Sequence, residues 1–227
     1  MAVIYLVRHG QASLSEENYD KLSATGIKQS EKLGESLANR NVDFTSIIKG
    51  TLLRHDETAK NCLSKMNMAA SETTSQAWNE YNYVELIAKH NIEFSDFKKL
   101  REHVIKEEKT YKALHQILNN SITDWIGDKH DYSVSWNAFK ETIWSEFKEV
   151  AASLANSEKA IIFTSGGPIA VLLLKLLDLK DSQFIDIQGS ITNASITKID
   201  VGKTRFSLNT FNEHAHLELD KGLLTYR

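Results

Sequence analysis

The stretch Ala2-Val3-Ile4-Tyr5-Leu6-Val7-Arg8-His9-Gly10 decides how the chain is read. Residues 2–7 are apolar almost without interruption, and Val3, Ile4 and Val7 are β-branched. A short run of this composition predicts a strand buried on both faces, the kind found inside parallel sheets. It stops at Arg8-His9-Gly10, which puts those three residues at the strand's C-terminal end. In open α/β sheets that edge is where ligands bind. The residue types suit a tetrahedral anion. An arginine offers a planar fork of donors that matches phosphate oxygens. A neutral histidine can act as a nucleophile near neutral pH. A glycine lets the backbone approach the anion closely.

Working outward, residues 11–22 are polar and read as a loop. Ser23 and Thr25 are candidate N-caps for a helix running to about Arg40, with Ile27, Leu33, Leu37 and Ala38 as its apolar face. Residues 45–49 predict a second strand ended by Gly50, a helix follows over 53–65, and residues 73–78 predict a third strand. Farther on, Trp136, Phe139, Ile143, Phe147, Val150 and Leu154 recur at the spacing of one helix face that starts at Ser135. Residues 159–164 form another buried strand, which ends at Ser165-Gly166-Gly167-Pro168 and leads into an apolar helix to about Leu177. Residues 195–200 and 205–211 predict two last strands with a turn near Gly202-Lys203. Strands alternating with helices imply parallel pairing through right-handed crossovers.

Residues 84–130 differ in character: they hold no proline, no glycine before Gly127, and many charges. Phe94, Phe97, Leu100, Arg101 and Val104 are helically spaced, and so are Tyr111, Leu114, Leu118, Ile122 and Trp125. This predicts a helical insertion, either a cap over the site or a plain extension of the fold. The expected fold class is therefore α/β: a mostly parallel central sheet with helices on both faces, one domain over residues 1–227, and 84–130 inserted into it.

Bulk properties narrow the function. Hydrophobic residues make up 41% of the 227, enough for a full core. The net charge of -3 leaves no basic surplus for a polyphosphate backbone, so nucleic acid is excluded as the main partner. The single cysteine, Cys62, cannot form an internal disulfide, which suits a reducing compartment. The opening residues run apolar then basic, the reverse of a secretory signal, and the run Ile169 to Leu177 is short and broken by Lys175. The expected location is the cytoplasm, with no membrane contact.

With these anchors in order, the chain resembles the histidine phosphatase superfamily, the phosphoglycerate mutase-like proteins. The resemblance rests on Val7-Arg8-His9-Gly10-Gln11-Ala12, then Leu22-Ser23-Ala24-Thr25-Gly26-Ile27-Lys28-Gln29, then Leu52-Leu53-Arg54-His55-Asp56-Glu57-Thr58-Ala59, then Asn79-Glu80-Tyr81. It covers residues 3 to about 85 and resumes from about 136. It implies a three-layer fold and roles residue by residue. His9 would take the phosphoryl group, Arg8 and Arg54 would hold its oxygens, and Glu80 would protonate the leaving oxygen. Glu85 is the rival to Glu80. Gln11 and Ser13 are expected in the following loop, with Gln11 touching substrate. His55 is expected on a helix surface. No cofactor and no metal are needed, because arginines supply the positive charge.

One departure stands out. Where the family carries a second histidine, this chain reads Phe163-Thr164-Ser165-Gly166-Gly167-Pro168. Ser165 takes the histidine's place, and Ser165 and Gly166 are expected to bind the anion through a hydroxyl and through backbone N–H groups at a helix start. A neutral serine supplies less, so the resemblance implies either a slow enzyme or a site completed by another group. His214 and His216 are the candidates for that group, with structural roles as the alternative. The resulting expectation is a hydrolase of small phosphomonoesters acting through phospho-His9. The alternatives are a phosphoglycerate-type mutase, which the loop after Gly10 disfavours because it contains no tryptophan, or a weakly catalytic binder of phosphorylated ligands.

Overall fold

The computed structural model describes residues 1–13, 20–66, 68, 72–96, 99 and 110–226. Six strands form one sheet: β1 (Ala2–Arg8), β2 (Ser46–Lys49), β3 (Glu72–Thr74), β4 (Lys159–Thr164), β5 (Ile196–Val201) and β6 (Phe206–Glu213). Their order is β3-β2-β4-β1-β5-β6. The first four run parallel, whereas β5 and β6 are antiparallel at one edge. The β1–β4 register pairs Val7 with Phe163 and Arg8 with Thr164, so the two central strands end level with each other.

Strand alternation sorts the core into two layers. Ile4, Leu6, Ile48, Ala160 and Ile162 point to one face. There they meet helices α5 (Trp136–Ser153) and α6 (Gly166–Leu176). Tyr5, Val7, Ile47, Ile161 and Phe163 point to the other face, against Leu33 and Leu37 of α1 (Ala24–Asn39) and Ala59, Cys62 and Leu63 of α2 (Leu53–Met66). Helices therefore cover both faces, as expected for α/β. The continuous apolar runs of β1 and β4 follow from this double burial.

The helices begin where capping chemistry places them. Ser23 accepts a hydrogen bond from Gly26 N at the start of α1, and Ser135 accepts one from Ala138 N at the start of α5. Two expectations need correction at the edges. The third strand covers only Glu72–Thr74, and Gln76–Trp78 is a 3₁₀ turn. Trp78, at the end of this turn, is fully buried in the core. The last strand runs on to Glu213.

Over residues 84–130, α3 (Tyr83–His90) packs on α4 (Thr110–Ile126), and Ile87, Ile117 and Phe94 of the 3₁₀ turn Ile92–Ser95 form a small core. At the far end of α4 Trp125 joins an aromatic cluster with Tyr81, Trp136 and Phe139, its ring centroid 5.1 Å from that of Trp136. The end of α4 thus packs in the same core layer as α5. Phe97, Leu100, Arg101 and Val104, expected in a helix, lie outside the described residues, as do residues 14–19 of the expected loop. Among the described residues no helix is long and apolar enough to cross a membrane. α7 (Phe184–Ser190) completes the helices named here.

Candidate active site

Four strand ends deliver the candidate residues to one place. His9 follows β1, Ser165 follows β4, Arg54 and His55 open α2 after β2, and Glu80 follows the turn after β3. Parallel strands share a C-terminal edge, so residues far apart in sequence converge there.

His9 is held at both its main-chain ends. Its N–H donates to Thr164 O at 2.9 Å, and its carbonyl accepts from Ala194 N at 3.2 Å and Asn193 Nδ2 at 3.1 Å. Its ring Nδ1 lies 2.7 Å from the carbonyl oxygen of Gly10. A carbonyl only accepts, so Nδ1 carries the ring proton and Nε2 keeps its lone pair. Burial first, then the charges of Arg54 and Arg8, hold the imidazole well below its usual pKa, so it stays neutral. This is the protonation state a nucleophile needs.

The two arginines are nearly buried, 9% and 8% exposed for Arg8 and Arg54. Arg8 Nη1 donates to Ile191 O. Arg54 Nη1 pairs with Asp20 Oδ1 at 2.5 Å, while Asp20 Oδ2 accepts Leu53 N at 2.7 Å and caps α2. Arg54 Nε is buried with no hydrogen-bond partner among the described residues. A buried guanidinium N–H without an acceptor is costly, and a bound anion is one kind of group that would relieve it. Thr58 joins the two halves of the site: its Oγ1 accepts Gly10 N at 3.0 Å and donates to Arg54 O at 2.6 Å.

Glu80, not Glu85, reaches the cleft. One oxygen of Glu80 accepts Gly167 N at 3.1 Å, and Gln188 Nε2 stands 3.5 Å from it. Burial raises the Glu80 pKa, opposed by the Gly167 hydrogen bond and by the charges of Arg54 and Arg8. A Cβ on Gly167 would come within 2.0 Å of Glu80 Oε1, so this glycine is what lets the carboxyl approach. Glu85 instead bonds Ser133 N and Ser133 Oγ, and its pKa falls.

Gln11 sits in the loop beyond Gly10, its N–H given to Gln29 Oε1 at 2.8 Å and its side-chain oxygen accepting from Ser23 Oγ at 2.9 Å. It also lines a cavity of about 600 Å³ with His115 and Asn119 of α4, Asp186 of α7 and Tyr226. Ser13 is buried and gives its N–H to Lys21 O at 2.8 Å. Gly166 stands close to Arg8 Nε, 3.7 Å from where its Cβ would be.

His55 corrects the expectation of a surface residue. It is fully buried, and its Nε2 lies 2.7 Å from Ser165 Oγ. The reason is its position on α2: His55, Thr58, Ala59, Cys62 and Met66 fall on the buried stripe. That helical spacing was a readable signal. Its ring centroid is 5.7 Å from that of His9. The imidazole that meets Ser165 thus comes from residue 55, not from His214 or His216. Nδ1 of His214 bonds Asn212 O at 2.6 Å, and Nε2 of His216 bonds Ala194 O at 3.0 Å. Asn193 and Gln188 were not singled out from sequence, and neither lies in a motif that could have flagged it. Among the described residues no group of three or more His, Cys, Asp or Glu is placed to hold a metal ion.

Comparison with known proteins bears on the family and the fold. Pgam5 of Caenorhabditis elegans, a mitochondrial serine/threonine-protein phosphatase, is 38% identical over 72 residues, 32% of this chain and 25% of that protein. The chain thus matches about a quarter of the length of that curated relative. Among solved structures, a phosphoserine phosphatase of Entamoeba histolytica in complex with 3-phosphoglyceric acid superposes with a TM-score of 0.65 at 16% identity, covering 96% of this chain and 100% of the other. A phosphoglycerate mutase of Bacillus anthracis gives 0.63 at 15% identity, covering 95% and 94%. These structures share the fold. The sequence profile of the histidine phosphatase superfamily (branch 1) matches residues 4–86 and 81–214, and the chain belongs to that superfamily.

Proposed function

We propose that the protein hydrolyses small phosphomonoesters through a phosphohistidine on His9. The observation that carries this reading is the His9 ring itself: neutral, tied through Nδ1 to Gly10 O, and placed beside two buried arginines. Nε2 attacks phosphorus, and the bond from phosphorus to the leaving oxygen breaks. Glu80, whose raised pKa favours the protonated form, gives its proton to that oxygen. A water then attacks phosphorus, Glu80 takes its proton back, and the P–N bond breaks to free His9 and inorganic phosphate. Arg8 and Arg54 hold the equatorial oxygens and offset their charge. The cavity beyond Gln11 takes the leaving group, and α4 of the insertion caps it with His115 and Asn119. The lone Cys62 cannot form an internal disulfide, which suits a reducing compartment such as the cytoplasm.

The test is phosphate release from p-nitrophenyl phosphate and a panel of metabolite phosphates, with acid-quench trapping of a phosphorylated histidine. His9→Ala is expected to remove both signals. Release that persists in His9→Ala at the wild-type rate contradicts the proposal.

A further inference from the structure

Ser165 stands at the N-cap of α6, yet its hydroxyl makes no capping hydrogen bond. The next residues explain why. Position N3 is Pro168, which has no N–H, and Gly167 at N2 already gives its N–H to Glu80. With both customary donors gone, the hydroxyl turns to His55 Nε2, 2.7 Å away, and both residues are fully buried.

The direction of this hydrogen bond follows from the other ring nitrogen. His55 Nδ1 is buried with no hydrogen-bond partner among the described residues. It faces Gly50, where a Cβ would lie 2.1 Å from it. A proton on Nδ1 would be a buried donor with no acceptor in hydrogen-bond reach among the described residues, costlier than a bare lone pair, whereas a proton on Nε2 meets Ser165 Oγ. On that balance the ring proton is assigned to Nε2, which donates it to Ser165 Oγ. A serine that accepts at this point still has its own hydrogen to give. Ser165 follows Thr164, whose carbonyl holds His9 N–H at 2.9 Å, and the His9 and His55 rings are 5.7 Å apart, so the hydroxyl belongs to the same cleft.

Resting on the phosphoryl-site reading above, we propose that Ser165 donates its hydroxyl hydrogen to a phosphoryl oxygen while His55 holds it in place by donating Nε2–H to Oγ. Ser165 is then a substrate contact and His55 a positioning residue. The pair supplies, as a neutral relay, the donor that the missing second histidine would have given.

Orthovanadate, a phosphoryl mimic, probes the pair without turnover. By calorimetry, Ser165→Ala is expected to weaken its binding roughly 10- to 100-fold, the worth of one hydrogen bond to a charged group. In turnover, Ser165→Ala and His55→Leu each lower kcat, and the double variant is no worse than Ser165→Ala alone, because the two act as a unit. His55→Gln retains an N–H donor and keeps part of the rate, a rescue that mere space-filling does not predict. Should His55→Leu fail to fold, Ser165→Ala and His55→Gln still decide. Nitrogen-15 NMR of the wild type is expected to show the Nε2–H tautomer at His55. Wild-type vanadate affinity in Ser165→Ala, an Nδ1–H tautomer, or no vanadate binding by the wild type would each overturn the inference. Phosphate release lost only on His9→Ala would leave the hydrolase reading standing whatever happens at Ser165.

Discussion

At the scale of single residues, the cleft separates two titrating groups by pushing them in opposite directions. His9 is driven down by burial and by Arg54 and Arg8, so its neutral form persists into mild acid. Glu80 is driven up by burial, so its protonated form persists above the ordinary carboxylate range. A neutral base with an intact acid therefore coexist on the acid side of neutrality, and kcat/KM should form a bell. Its acid limb belongs to His9 and its alkaline limb to Glu80. Glu80→Gln should lower kcat about 10²- to 10⁴-fold for alkyl phosphates, the usual worth of a positioned general acid. The loss should be smaller for p-nitrophenyl phosphate, whose leaving oxygen needs little help, and the alkaline limb should vanish. An unchanged alkaline limb in Glu80→Gln would assign that limb to another group. Arg8 and His9 were legible as residues where a predicted strand stops, whereas Arg54, on a predicted helix, and Glu80 were picked out only by the resemblance to the family. His55 was misread because its neighbour Arg54 drew attention to charge, while the decisive information was its helical spacing to Thr58, Ala59 and Cys62.

At the scale of elements, two glycines of α1 mark the places where backbone meets backbone. A Cβ on Gly34 would lie 2.1 Å from Cys62 O on α2, and a Cβ on Gly26 would lie 2.2 Å from Gln11 O. Helix propensity alone favours alanine over glycine by about 1 kcal/mol. Contact with rigid backbone reverses that preference, and overpacking of this kind costs about 1–3 kcal/mol. The two substitutions should nevertheless differ. Gly34→Ala separates α1 from α2 on the buried face, so it should lower the urea midpoint and leave kcat of the folded protein near wild type. Gly26→Ala pushes on Gln11, two residues from His9, so it should cut kcat well beyond what its loss of stability explains. Urea titration beside kcat for both variants checks this, and equal loss of kcat in the two would refute it. The elements themselves were readable wherever burial is two-sided or caps are explicit, as in β1, β4 and the helix after Ser135. The third strand was found with the wrong bounds, 73–78 for Glu72–Thr74, because three exposed residues at a sheet edge carry no apolar signal. The antiparallel placing of β5 and β6 also lies beyond any local pattern, since pairing partners are set by tertiary contacts.

At the scale of the whole molecule, burial of neutral imidazoles couples the site to stability. His9 and His55 titrate well below 6.5 when folded, and burial lowers His216 to about 4. In the unfolded chain all three should titrate near the ordinary value of about 6.5. Below that pH the unfolded state binds protons that the folded state refuses. Their contribution is therefore fully present above about pH 6.5 and is lost as pH falls toward the folded values, by up to about 1.4 kcal/mol per histidine per pH unit. Glu80 works in the opposite sense: its folded pKa is raised, so its contribution improves as pH falls through that value and opposes the loss from the imidazoles. Carboxylates with lowered pKa, such as Asp124, Asp181 and Glu213, lose their stabilising effect only below the unfolded carboxylate range, so the window from pH 7 to pH 5 isolates the imidazoles. With a total stability of about 5–15 kcal/mol for an ordinary protein, a loss of a few kcal/mol is large. At about 2–4 °C per kcal/mol for a chain of this size, Tm should fall by at least about 5 °C between pH 7 and pH 5. His216→Gln removes one of the titrating imidazoles and should make that fall shallower. A Tm that is flat across the window would mean that the histidines accept protons in the folded state, and with it the neutral nucleophile at His9 would lose its physical basis.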